Sequence, residues 1–230
     1  MSSSVLPTLT SSQVKEVDSL TQERFGIPVD WLMEAAGWQV ARFCDKTAVV
    51  VCGVGNNAGD GLAAARHLRR WGKLGAVCCV DQSRLRGSAA RELEVLRKLA
   101  VDVSSELYLD EAGLVVDAMF GTGLWRAPEG RFAEWIQVIN DSGKPVVAID
   151  VPSGLDADAG VAYAPTVRAS VTVTLGLPKS GLLKADGPRV SGDVWVADIG
   201  VPWEAYEAIG VHVGRHLFAK RDIVRLEDTV

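Results

Sequence analysis

Apolar positions along the 230-residue chain change their period near Thr47. Before it, Val14, Val17, Leu20 and Phe25 recur near helical spacing behind Thr10-Ser11-Ser12-Gln13, which has the form of a capping box. An amphipathic helix is therefore predicted to run to about Gly26, and Pro28 opens a second through Trp31, Leu32, Met33, Ala36 and Val40. After Thr47, apolar runs predict strands at 47–52, 74–80, 114–120, 145–149, 170–175 and 193–199. Helical stretches at 61–71, 88–99 and 131–140 lie between several of them. The strand runs are continuously hydrophobic rather than alternating, so both faces of the sheet must be covered. That pattern specifies an α/β fold, a doubly wound, mostly parallel sheet preceded by a helical pair. No repeat or linker interrupts it, so one domain spans 1–230, with a polar tail from about Lys220.

Composition narrows the partners. A 48% hydrophobic content can fill one large core, and the net charge of -5 leaves no global basic field for nucleic acid or an anionic membrane. An anionic ligand must then be held locally, by helix ends and a few chosen cations. Cys44, Cys52, Cys78 and Cys79 lack metal-ligand spacing, and three lie in apolar runs, which reads as reduced core thiols of an intracellular protein. Met1-Ser2-Ser3-Ser4 has neither a basic nor an apolar signal region, and no segment reaches membrane-span length, so a soluble cytoplasmic protein is expected.

The chemistry gathers after three strands. Gly53-Val54-Gly55-Asn56-Asn57-Ala58-Gly59-Asp60-Gly61 joins a strand to a helix and brings backbone N–H groups to a helix N-terminus, where a diphosphate can bind without basic side chains. Gly121-Thr122-Gly123-Leu124-Trp125-Arg126 and Asp150-Val151-Pro152-Ser153-Gly154-Leu155-Asp156 follow two further strands. In a parallel sheet all three turns share the carboxyl edge, where ligands bind. Asp117 lies inside an apolar strand, where an unpaired carboxylate is costly. It either caps backbone N–H groups of a neighbouring turn or holds a hard cation shared with Asn57 and Ser153, all three offering oxygen. Asp150 ends the next strand and reads either as a turn-binding Asp or as a general acid/base. Lys179 reads as a surface lysine or as a group reaching the same site, and Asp60 as a residue holding the turn or the helix start. Asp156-x-Asp158-x-Gly160 is a fragment of a calcium loop and reads as a solvated turn. No zinc spacing involves His67, His212 or His216, and neither a nucleophile elbow nor a P-loop occurs.

These residues resemble the NAD(P)H-hydrate epimerases, the YjeF N-terminal-domain family, whose turn is G-x-G-N-N-G-G-D-G. The resemblance continues through Leu32-Met33-Glu34-Ala35-Ala36-Gly37, the segment from Asp117 to Leu124, the segment from Ala148 to Leu155, and Gly192-Asp193-Val194-Trp195-Val196-Ala197-Asp198-Ile199-Gly200. It covers roughly 9–202, which makes that span the core of the domain. It implies a Rossmann-like three-layer α/β/α sandwich and epimerisation of the R and S hydrates of NADH and NADPH, in which water has added at C6 of the nicotinamide ring. A separate S-specific dehydratase then restores the cofactor. By resemblance, Asn56, Asn57, Ala58, Gly59 and Asp60 line one side of the substrate and Gly121, Thr122, Gly123, Leu124, Trp125, Arg126 and Ala127 the other, with Asp150 also in contact. One potassium ion per subunit would be held by Asn57, Asp117 and Ser153. C6 is a hemiaminal carbon whose configuration is lost by ring opening or by departure of the hydroxyl. Either route needs proton transfer, assigned here to Asp150 with Lys179 as its partner.

Ala58 departs from the family glycine, and either strains the turn or narrows the pocket. Two rival readings are a non-catalytic nucleotide-binding or scaffold module of the same fold and a dehydrogenase using Asp81 on a ribose. The exposed surface around Trp31 and Trp38 is the place to look for a homodimer, and the tail from Lys220 reads as a frayed end or as the point where some relatives fuse a dehydratase.

Overall fold

The computed structural model of the chain describes residues 6–229, so the Met1-Ser2-Ser3-Ser4 stretch examined for a signal lies outside the described residues. Helices α1 (Ser11–Glu23) and α2 (Val29–Ala41) lead into β1 (Ala48–Cys52), α3 (Asn56–Arg70), β2 (Leu74–Cys79), α4 (Gly87–Lys98), β3 (Val103–Ser104) and β4 (Leu114–Ala118). There follow α5 (Arg131–Asp141), β5 (Val146–Ile149), β6 (Val171–Leu175), α6 (Gly187–Val190), β7 (Asp193–Ala197), α7 (Trp203–Ala208) and β8 (Ile223–Arg225). The strands form one sheet in the order β3-β2-β1-β4-β5-β6-β7-β8, parallel except for β8 on β7. Chain order reverses between β1 and β4, which opens a crevice at their carboxyl ends.

Three layers follow from the alternation of side chains along each strand. Ala48, Val50 and Cys52 of β1 and Leu114, Val116 and Ala118 of β4 pack with Ala41, Leu62, Leu68, Leu93 and Leu96 of α2, α3 and α4. Val49, Val51 and Val115 face the other way, onto Trp135, Ile136 and Ile139 of α5. Both faces are covered, as the unbroken hydrophobic runs require.

α1 stands apart from this sandwich. Its capping box forms, with Gln13 N–H donating to Thr10 Oγ1 at 3.3 Å and Thr10 N–H to Gln13 Oε1 at 2.9 Å. Leu9 then bridges to the segment after β6: its N–H donates to the Pro178 carbonyl, and its own carbonyl accepts from Ser180 N–H, both at 2.9 Å. Ser11 N–H donates to Asp158 Oδ1 at 2.6 Å, and Asp156 Oδ1 accepts the N–H groups of Asp158 and Ala159 at 2.9 and 2.8 Å. The acidic turn expected to be solvated is thus part of the seat for α1. Val17, beside Leu9, Leu177 and Tyr206, closes a small apolar cluster with α7.

Two further expectations are corrected. α3 begins at Asn56 and not near Gly61, so Asn56, Asn57, Ala58, Gly59 and Asp60 are helical. Gly59 and Gly61 sit inside the helix because their missing side chains admit neighbours: a Cβ on Gly59 would lie 2.5 Å from Met33 Cε, and one on Gly61 2.4 Å from Ala118 Cβ. Glycine there serves close approach, a use that turn rules do not anticipate. The tail, read as a possible frayed end, carries β8, and Arg225 pairs with Asp193 at 2.6 Å across the β7–β8 edge.

Candidate functional site

A cavity of about 620 Å³ opens at the crevice between β1 and β4. Its floor comes from the strand ends and the start of α3, and its opposite wall from α1 and α2. Asn56, Asn57, Asp60, Gly121, Thr122, Gly123, Leu124, Asp150 and Lys179 line it.

Asp150 follows β5 in a left-handed conformation, φ 70°, a costly state that persists only where surroundings enforce it. Its Oδ1 accepts from Leu175 N–H at 3.2 Å and from the Thr174 hydroxyl at 3.4 Å, both on β6, and pairs with the Lys179 ammonium. Lys179 is only 2% exposed and donates also to the Leu175 carbonyl at 2.7 Å. A lysine this buried needs a partner carboxylate, and Asp150 is that partner. The surface-lysine reading is thereby excluded, as is the reading of Asp150 as a ligand of its own turn.

That turn is served by Asp117 instead. Its Oδ2 accepts Ser153 N–H at 2.8 Å, while Oδ1 accepts the Ser153 hydroxyl at 2.7 Å and Met119 N–H at 3.2 Å. Ser153 Oγ in turn accepts Phe120 N–H at 2.9 Å. Asp117 and Ser153 are fully buried beneath the cavity, and burial, opposed by these bonds, pushes the Asp117 carboxyl up to about 6. Asn57, on α3, is also buried, and among the described residues its amide Nδ2 has no hydrogen-bond partner. A Cβ placed on Gly121 would lie 3.3 Å from Asn57 Oδ1 and 3.4 Å from Asp150 Oδ2, so the three positions converge on one spot.

Other expected residues lie elsewhere. Ala58 and Gly59 are buried in the packing of α3 and do not line the cavity. Ala58 has no positive φ, so its methyl neither strains the backbone nor narrows the pocket. Trp125, Arg126 and Ala127 lie beyond the lining residues, and Trp125 is 76% exposed with the Arg126 guanidinium 5.2 Å from its ring centre. Asp60, expected to hold the turn or the helix start, has no hydrogen bond to its carboxylate among the described residues and faces the cavity. Burial, and then the nearby Asp150 and Asp18, hold its carboxyl well above the usual range.

Sequence reasoning missed the α1 wall, where Val14, Asp18, Ser19 and Gln22 face the cavity. Burial raises the Asp18 carboxyl to about 6, against the pull of Lys179 and with a push from Asp150. A signal was present: Asp18 adjoins Val17 and stands one turn after Val14, on the apolar side of the helix.

Comparison with known proteins shows the family and the fold. The family model described as YjeF-related protein N-terminus matches residues 29–181. A protein of Dehalogenimonas lykanthroporepellens named NAD(P)H-hydrate epimerase is 35% identical over 231 residues, covering 95% of this chain and 92% of that one. A Thermofilum pendens protein named Bifunctional NAD(P)H-hydrate repair enzyme Nnr is 40% identical over 211 residues, covering 83% of this chain; the chain spans 40% of that longer protein. The crystal structure of yeast ynu0 superposes with a TM-score of 0.80 at 25% identity, covering 96% of this chain and all of the yeast one.

Proposed function

Because the chain belongs to the family of YjeF-related N-terminal domains, we propose that it is an isomerase that interconverts the R and S hydrates of NADH and NADPH. The observation that carries the reading is the buried Asp150–Lys179 pair beside Asn57 and Gly121 on the floor of a dinucleotide-sized cavity. The α3 N-terminus faces the same space. The N–H groups of Asn56 and Asn57 have no partner within the helix and attract the diphosphate of the substrate, which a chain of net charge -5 does not attract at long range. At the hydrated ring, C6 bears both nitrogen and hydroxyl. Asp150 exchanges a proton with that centre, while Lys179 balances its charge and fixes its orientation.

A potassium ion fits beneath the cavity. Asp117 uses three of about four acceptor positions, and the unpartnered Asn57 amide can turn its oxygen toward the same place. Asn57, Asp117 and Ser153 would hold the ion, which would offset the charge of the buried carboxylate and steady the Ser153 turn.

The chain works beside an S-specific dehydratase, in line with relatives named as bifunctional repair enzymes. Four buried free thiols support a cytoplasmic setting, and among the described residues no helix is long and apolar enough to cross a membrane. Trp31 on α2, 67% exposed, supports a homodimer through that helix, testable by sedimentation. A non-catalytic scaffold has no use for a buried ion pair aimed into a cavity. Separation of R- and S-hydrates by HPLC, with the spontaneous rate subtracted, tests the reading. Interconversion above background is expected, and its absence with both hydrates ends it.

A further inference from the structure

The cavity holds more carboxylates than its one buried lysine can serve. Asp150 is paired with Lys179, but Asp18 on the opposite wall has no hydrogen bond or ion pair to its carboxylate among the described residues. Two contacts fix its position. The Leu9 bridge ties the start of α1 to the Lys179 segment, and Val17, next in the chain, is buried against Leu177 and Tyr206. Asp18 is therefore held facing Asp150 and Lys179 across the space that the ring would occupy.

We propose that Asp18 is a second catalytic residue of the epimerisation, a proton donor acting from the face of the ring opposite Asp150. This rests on the epimerase reading above. In the ring-opening route, the Asp150 carboxylate takes the proton from the C6 hydroxyl, and the C6–N1 bond breaks to leave an aldehyde at C6. The bonding electrons go to N1, which takes the proton of Asp18. After rotation about C5–C6, N1 attacks the other face of the aldehyde; its proton returns to Asp18, the carbonyl oxygen recovers the proton held by Asp150, and both residues are restored. In the hydroxyl-departure route, Asp18 protonates the hydroxyl, the C6–O bond breaks to release water, and the N1 lone pair forms a C6=N1 bond. Water added from the other face then gives its proton to Asp150, which passes it to solvent water while Asp18 takes one back from solvent, so both residues are restored. Both routes need one group that gives a proton and one that takes it, and pairs of groups in contrasting environments mark such roles.

The contrast is physical. Asp150 has an ammonium and two hydrogen-bond donors at its carboxylate. Asp18 has none of these, and burial moves its carboxyl up to about 6. The charged and titratable groups facing it are Lys15 and Glu23 on its own helix, Asp60 on α3, Asp150 after β5, Lys179 after β6 and Tyr206 on α7. Of these, Lys179 opposes the raised value.

The test compares parent, Asp18→Asn and Asp18→Glu in the hydrate assay across pH. The parent's kcat should fall on the alkaline side of a midpoint at or above about 6. Asp18→Asn should lose about 100-fold or more in kcat with KM little changed, and should lose that alkaline limb. Asp18→Glu keeps a carboxylic acid and should keep the limb and much of the rate, which holds the test open if the Asn variant folds poorly. An Asn variant with parental kcat and profile overturns the proposal while leaving the epimerase reading intact. So does an equal loss in both variants with raised KM and an unaltered limb. A parent chain with no activity above background removes the epimerase reading and this inference together.

Discussion

Asp150 occupies a backbone region that asparagine and aspartate tolerate and most other side chains do not. Asp150→Asn therefore preserves backbone and hydrogen bonding while removing the titratable group. Epimerisation should fall by about 100- to 10,000-fold with substrate still bound, as measured by kcat against binding affinity. Asp150→Ala should lose the rate and also lower the melting temperature, because it adds about 1 kcal/mol or more of left-handed strain. A parental rate in Asp150→Asn would move the proton-transfer role to Lys179. Asp117→Ala should weaken both cation dependence and substrate binding, since it frees the Ser153 hydroxyl and the N–H groups of Ser153 and Met119. Titrating KM against potassium in parent and variant reads this directly, and a parent whose rate is the same with a bulky organic cation removes the ion. Asp117 and Asp150 were legible in the sequence because a carboxylate within or ending an apolar strand must be accounted for energetically. Asp18 was not. A polar residue on an amphipathic helix reads as solvated until the docking of that helix is known, and the docking depends on the remote Leu9 bridge.

At the scale of elements, α3 separates binding from packing. Gly55 precedes the helix, and a Cβ there meets nothing within 4 Å. Gly55→Val should therefore fold normally yet fill ligand space, raising KM. Gly59→Val drives a side chain into Met33 and should lower the melting temperature through the α2–α3 contact, before binding is considered. Neutralising Arg69 or Arg70, exposed at the far end of α3, should leave KM unchanged. A larger effect at the arginines than at Gly55 would argue for a basic-patch mode. The strands and helices with long apolar runs were legible, to within a few residues. The start of α3 was not, because its glycines look like turn residues and serve packing. β3 and β8, with two and three residues, are too short to show a period, and their pairing is set by neighbours already in the sheet.

For the molecule as a whole, the raised Asp18 carboxyl links stability to pH. Its folded value of about 6 lies above the ordinary value of 3.8, so its favourable contribution is present at low pH and is lost as pH rises through about 6. Asp18→Asn should raise the melting temperature at pH values above that range and change it little well below, as calorimetry can read; equal effects at both would contradict the linkage. Truncation after Lys220 should also destabilise the fold, because it removes β8 from the β7 edge together with the Arg42–Asp222 and Arg225–Asp193 pairs. The seat of α1 has a consequence in time. Through Leu9, just before it, α1 is tied to Ser180 across a separation of 171 residues, so while the intervening chain is being made Val14, Val17 and Leu20 have no native surface to cover them. Contacts so distant in the chain form late, after loop closure has been met. A newly made molecule thus has the strands from β1 to β6 in hand before it owns a cavity, and in refolding, activity should return after the circular dichroism of its helices and strands.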